Sequence, residues 1–439
     1  MNINQMIKCN TCDDKTHCRI GMSNRDVQPI SFLCPHCGTD ISIEIDKNLH
    51  VAYHNAIPLN EHTPIFSGGD SDLPFLDLHL DFPVWSTQYV PGMTPYIIAM
   101  LKVDPEKAGM DGGEACSIFK QKLDVLNFFG HKFEEVKQLL KLYSRANKEL
   151  FRKKASSFLL LKQTESTAPQ DLNALLYTVL SRVTFPFLDE KIVGEITKGY
   201  PDLILGLLKK DSDALLAFHR EISDSGFLAS VQKGCLSLYG RIFELELYLR
   251  PAIFLDYCSG QDEHRTAAKI SRLGFEKCKD MYIDLAELFG RQLALVAGIN
   301  NLLKRGDHNS FLSKDGGALS SLHKFHDKTL SDKMKYLDDS WYKIDEKILN
   351  ANVRNSVAHY SFEYDDINQI IKCYPKKEGL KRDDVIQLTF LEFMRMILLL
   401  FREMHYLHHL IKAIYYFEYL VIPKLSDNPN PDTNKGIDN

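Results

Sequence analysis

The chain has 439 residues, long enough for two to four domains, with 44% apolar and 25% charged residues, the balance of an ordinary globular protein. A net charge of −5 argues against a surface coated with cations for non-specific DNA binding, although a local basic groove stays compatible with it. No apolar run reaches the ~20 residues of a membrane helix and the N-terminus MNINQMIKCN lacks a signal-peptide core, so a soluble cytoplasmic protein with no membrane partner is expected.

Five of the ten cysteines precede residue 40, and the other five are scattered through apolar stretches, a usage that suits reduced thiols. Cys9-Asn10-Thr11-Cys12 and Cys34-Pro35-His36-Cys37-Gly38 are two CxxC turns separated by 21 residues. Zinc takes four thiolates tetrahedrally, and two such turns supply them with little strain, so structural Zn2+ is expected on Cys9, Cys12, Cys34 and Cys37. Cys18 and His17 are further candidate ligands, and Cys18 could replace one of the four. With the alternating Ile41-Ser42-Ile43-Glu44-Ile45 strand, residues 1–50 resemble a zinc ribbon, which would bind a protein or nucleic acid or serve stability alone.

Residues 51–115 are rich in Pro, Gly and Asp and read as a mixed linker region with short strands, of which Leu76–Asp81 alternates most strictly. Asp77, His79 and Asp81 share one face there, a solvent-facing edge more readily than a metal site. Helices are expected from about residue 115, giving a helical middle region, 116–225. Phe133, Val136, Leu140 and Tyr143 form a stripe extended by Leu150, and Asp171 fits an N-cap before Leu172, Leu175, Leu176, Val179 and Val183. The run Arg145–Lys154 is the densest in cations and reads as a solvated helix end, with RNA phosphate as the alternative contact. No internal repeat is evident.

From residue 226 to 423 four long helices are expected, which implies a bundle. The first is stopped by Pro251, the second runs from about Thr266 to Lys304 ahead of Gly306, the third from about Ser340 to Tyr360, and the fourth from about Asp384 to Ile422. On the third, stepping on from Trp341, Ile344, Ile348 and Ala351 carries the apolar stripe to Asn355 and His359. His405, His408 and His409 share one face of the fourth, where filling a half-buried surface is commoner than binding metal or phosphate. Arg241, Arg250, Lys372, Lys376, Lys377, Lys381 and Arg382 are cations available to a substrate groove. Residues 424–439 read as a disordered tail.

Arg354-Asn355-Ser356-Val357-Ala358-His359 joins a permanent cation, an amide and an imidazole on one helix. An imidazole moves protons near neutral pH, and a guanidinium holds a phosphate and its developing charge. An arginine followed by asparagine, with a histidine five positions after the arginine, late in a helical region and ahead of one more long helix, resembles the motif of the HEPN superfamily. The resemblance covers roughly residues 226–423. It implies a mainly α chain with a C-terminal HEPN-like four-helix bundle, a metal-independent endoribonuclease with Arg354, Asn355 and His359 as catalytic residues, and an RNA substrate. It also implies a toxin-like role or one in antiviral defence and abortive infection, in a homodimer or higher homo-oligomer under a regulatory protein or nucleic-acid trigger. The alternative readings are a non-catalytic HEPN and zinc-ribbon binding or sensing protein, and a toxin controlled by tyrosine modification. In that last subgroup the tyrosine stands two residues after the histidine, whereas here Ser361 holds that place and Tyr360 comes one residue early.

Overall fold

A computed structural model describes residues 2–59, 73–161, 166–259, 268–313, 316–337, 340–344, 348, 350–375 and 384–427. The chain is mainly α with small β-sheets, and it divides into two compact units. The first holds residues 1–131, 241–283 and 347–399, and the second holds 132–240, 284–346 and 400–439.

The first unit opens with two antiparallel hairpins, Asn2–Cys9 with Lys15–Gly21 and Val27–Leu33 with Asp40–Asp46. The first hairpin is extended into a four-stranded sheet by Ala56–Leu59 on one side and by Phe75–Leu78, which runs parallel to Lys15–Gly21, on the other. The second is extended by Val51–His54. The period-2 pattern places Ile30 and Phe32 of one strand, and Ile41, Ile43 and Ile45 of its partner, in a core shared with Ile7, Cys18 and Ile20. The expected strand at Ile41–Ile45 is thus part of Asp40–Asp46.

The expected strand at Leu76–Asp81 ends at Leu78, and its polar face is not a solvent edge. Asp77, His79 and Asp81 are all buried. Asp77 takes a two-pronged ion pair from Arg19, its register partner on the parallel strand, at 2.9 and 2.5 Å. Asp81 receives Arg250 at 2.8 Å. Alternation divides a strand into two faces but does not say which one meets water. Helices also begin earlier than residue 115. Thr94 caps Pro95–Leu101, Asp104 caps Pro105–Ala108 and Asp111 caps Gly112–Gly130. A capping side chain followed by proline at the first helical position is a start signal, here set in a stretch whose proline content reads as loop.

The four expected helices differ in their limits. Phe227–Ile242 is followed by a 3-10 turn, Phe243–Leu245, and Glu246–Phe254 continues with Pro251 inside it, so the break precedes the proline. The second is Phe275–Arg305, with Gly306 in the left-handed conformation after it as expected, while Thr266 lies outside the described residues. The third reduces to Ala351–Ala358 among the described residues. The fourth is Phe390–Tyr416, continued by a π turn and Ile422–Asp427. Its expected first residues are instead the strand Ile386–Thr389, which pairs with Ile370–Cys373 and through it with Phe362–Asp365. Thr389 and Glu392 form a capping box at the join: the Glu392 carboxylate accepts from the Thr389 amide at 2.8 Å, and the Thr389 hydroxyl accepts from the Glu392 amide at 3.1 Å.

In the second unit, Phe133–Ser144 and Lys148–Phe158 are separate helices because Ala146 turns left-handed between them, which takes Leu150 off the stripe. The helix Pro169–Thr184 starts at its proline, leaving Asp171 in the first turn and not at the cap. Residues 428–439 of the expected tail lie outside the described residues. Among the described residues no helix is long and apolar enough to cross a membrane.

Candidate functional site

Each cysteine pair sits on the loop of one hairpin of the first unit, and the two loops repeat the same turn 25 positions apart (9 to 34, 12 to 37). In the first, the Cys9 amide donates to Asp14 O at 3.0 Å and the Asp13 amide to Cys9 O at 3.1 Å; in the second, the Cys34 amide donates to Thr39 O at 2.9 Å and the Gly38 amide to Cys34 O at 2.9 Å. Asp13 and Gly38 carry the same left-handed backbone, with φ of 61° and 74°. This is a structural repeat that residue identities hide, since only the cysteines match. The turns aim four sulfurs inward. Sγ atoms of Cys9 and Cys37 are 3.8 Å apart, those of Cys12 and Cys34 also 3.8 Å, and all four lie within 4.8 Å of one another. A tetrahedron with ~2.3 Å metal–sulfur bonds has edges of about 3.8 Å, so the spacing fits a metal held by four thiolates. The Thr11 amide donates to Cys9 Sγ at 3.4 Å, and the hydroxyl and amide of Thr39 pull the Cys37 thiol down to about 6.

Among the described residues this is the one group of three or more His, Cys, Asp or Glu side chains able to hold a metal. Cys18 is not part of it: its side chain lies in the strand core, where burial pushes its thiol up. His17 packs its ring against Phe75 and Tyr89.

Arg354 and Asn355 belong to the short helix Ala351–Ala358 of the first unit, and His359 follows it. Asn350 starts it, its side chain accepting from the amides of Asn352 and Val353 at 3.1 and 3.2 Å. Because the helix begins afresh there, the apolar phase drawn from Trp341 does not carry through. The buried side chains are Val353, Ser356 and Val357, and this helix packs on the strand Ile370–Cys373. Asn355 is half-buried and His359 exposed. Arg354 is half-buried and donates from Nη1 to Asn355 Oδ1 at 3.1 Å. His359 is the C-cap residue, its amide bonded to Asn355 O at 3.0 Å. The structure therefore joins the guanidinium to the amide side chain and sets the imidazole in solvent at the end of the same helix.

Sequence reasoning missed the turn just after His359. Tyr360 takes a left-handed φ of 56°, and the Ser361 amide closes the helix by donating to Ser356 O at 2.9 Å, a Schellman-type bond. The alternation Tyr360-Ser361-Phe362-Glu363-Tyr364 was the available signal, an aromatic row with the period of the strand Phe362–Asp365.

The other candidates are structural. His405, His408 and His409 are fully buried in the second unit; Tyr239 Oη meets His405 Nδ1 at 2.7 Å and His408 Nδ1 at 3.0 Å. Arg250 is spent on Asp81, Glu246 and Asn127 and is no groove cation. Lys376, Lys377, Lys381 and Arg382 lie outside the described residues. In the run Arg145–Lys154, Arg145, Lys148, Lys153 and Lys154 are exposed, as a solvated helix end requires.

No family model, curated protein or solved structure matches this chain. The fold and the sulfur cluster define a mainly α protein with a four-cysteine, ribbon-like site able to hold a metal.

Proposed function

We propose that this chain is a metal-independent endoribonuclease of the HEPN type, with a C-terminal helical bundle and a zinc ribbon on Cys9, Cys12, Cys34 and Cys37. The observation that carries the reading is the Arg354 guanidinium held on Asn355 while His359 stands in solvent at the end of the same helix. The ribose 2′-hydroxyl attacks the adjacent phosphorus, forming the O2′–P bond as the P–O5′ bond breaks. A histidine takes the 2′-hydroxyl proton and a protonated histidine supplies one to the departing O5′; two copies of His359 across a homodimer divide these tasks. Arg354 stabilises the charge of the pentavalent transition state, and Asn355 orients the guanidinium. The products are a 2′,3′-cyclic phosphate and a 5′-hydroxyl. Cys9, Cys12, Cys34 and Cys37 would hold zinc through four thiolates, where it would supply structure and offer no open position for a substrate. The setting that suits such an enzyme is a toxin-like or antiviral one in the cytoplasm.

The test is RNA incubated with the full chain in chelator, alongside His359→Ala and Arg354→Ala. Cyclic-phosphate ends that disappear in both variants, a drop of at least ~10²-fold for loss of a general acid–base group, are the expected result. Identical ends from wild type and His359→Ala, or RNA left intact by the dimer, would sink the nuclease reading.

A further inference from the structure

Tyr360 is the most exposed aromatic ring beside the Arg354–His359 helix, at 77% exposure, and it is held there at a cost. Its left-handed backbone is the conformation that glycine usually supplies at this position where a helix ends in a left-handed turn, because a side chain strains it. Such outliers persist where the surroundings fix them and where function uses them. The surroundings here are specific. Lys279 Nζ lies over the Tyr360 ring at 4.8 Å from its centroid and is itself paired with Glu276, and the Phe362 ring lies nearly parallel to that of Tyr360, at 28°. Phe362 in turn packs on Phe275, which stacks on Tyr364 at 4.3 Å. A row of rings at positions 360, 362 and 364 thus runs from the helix end along the edge strand Phe362–Asp365. Its inner members are half-buried and its first member is open to solvent.

We infer that Tyr360 is a stacking platform for a nucleobase of single-stranded RNA, seating the nucleotide next to the phosphate that Arg354 and His359 engage. The inference rests on the nuclease reading and adds to it a substrate subsite. A flat ring flanked by a cation and by Phe362 and still 77% exposed offers what an unpaired base takes: a π surface without sequence preference. The adjacency is covalent, since Tyr360 directly follows His359. A base on that ring then lies one residue along the chain from the imidazole, on a backbone turn closed by the Ser361 amide. Double-stranded RNA keeps its bases stacked inside the helix and gains nothing from the platform.

The experiment separates binding from cleavage. Fluorescence anisotropy with a short, labelled 2′-O-methyl oligoadenylate, which cannot be cut, is measured on the full-length protein and on Tyr360→Phe, Tyr360→Ala and Tyr360→Gly. Tyr360→Gly keeps the left-handed turn without strain and so removes the ring while favouring the fold. Tyr360→Phe is expected to bind as wild type, and the other two about 5- to 150-fold more weakly, the ~1–3 kcal/mol of one base–aromatic stack. Equal affinity for all four proteins, or no binding by wild type, overturns the platform. The nuclease reading is judged apart from this, by the cyclic-phosphate ends of cleavable RNA. A Tyr360→Gly protein that binds normally yet cuts normally removes the platform and leaves the nuclease standing. Loss of binding in a protein whose His359→Ala form shows unchanged cleavage does the reverse.

Discussion

Acidification is expected to open the second unit from inside its core. His405, His408 and His409 are 1%, 0% and 4% exposed. Burial, then each other's charge and that of Lys412, holds His405 and His408 well below the ordinary 6.5; burial and Lys412 hold His409 at about 3. Well above pH 6.5 the rings are neutral whether the chain is folded or not, and they put no pH dependence on the fold. Below it the unfolded chain takes up protons that the folded core refuses, so stability falls with pH until the folded values are reached. One such group costs about 1.4 kcal/mol per pH unit in that window, and three together about 4 kcal/mol per unit. A slope of that size is large against the about 5–15 kcal/mol stability of an ordinary domain. Urea unfolding followed by circular dichroism at steps between about pH 7.5 and 5 gives the slope. His405→Gln and His409→Gln variants are expected to flatten it. A wild-type slope below about 1.4 kcal/mol per unit under pH 6.5, fewer than one proton taken up on unfolding, would refute the buried neutral triad.

The sulfur cluster predicts one zinc per chain by metal analysis, and less than half of that in Cys34→Ser. Stripping the metal is expected to speed amide exchange in the two hairpins of residues 2–46, and exchange unchanged by chelator would remove its structural role. Arg250→Ala leaves the Asp81 and Glu246 carboxylates buried without their main cation, although Arg25 still reaches Glu246 at 3.0 Å. A loss of about 3–5 kcal/mol in urea unfolding is expected, and a loss under about 1 kcal/mol would show that the network contributes little.

What the sequence reveals of this molecule is what short segments decide alone. The four cysteines are legible because each CxxC turn builds half of a tetrahedron locally, and the Ile41–Ile45 strand because period 2 needs only five residues. The third helix failed for a local reason too. The phase counted from Trp341 stops at Asn350, a capping residue, and a fresh start there resets which side chains point inward. Counted from Asn350, the inward set is Val353, Ser356 and Val357. Thr94-Pro95 and Thr389–Glu392 were start signals of the same kind.

The rest depends on partners that no local pattern names. Arg19 and Asp77 are 58 positions apart, and Arg250 and Asp81 are 169 apart. An alternating Asp-x-His-x-Asp is solvent edge or buried ion pair according to whether those arginines arrive. The histidine face of the last long helix is the same case. Spacing shows that His405, His408 and His409 share it, but Tyr239, 166 positions from His405, meets that face inside the core and not at the surface. His359 and Tyr360 stand apart from all of these. Asp77, Asp81, His405 and His408 are each accounted for by a partner within the fold, an arginine or a tyrosine. The His359 imidazole is exposed, and the Tyr360 ring, 77% exposed on a left-handed turn, meets Lys279 and Phe362 and leaves the open surface that the proposed base-stacking role would use.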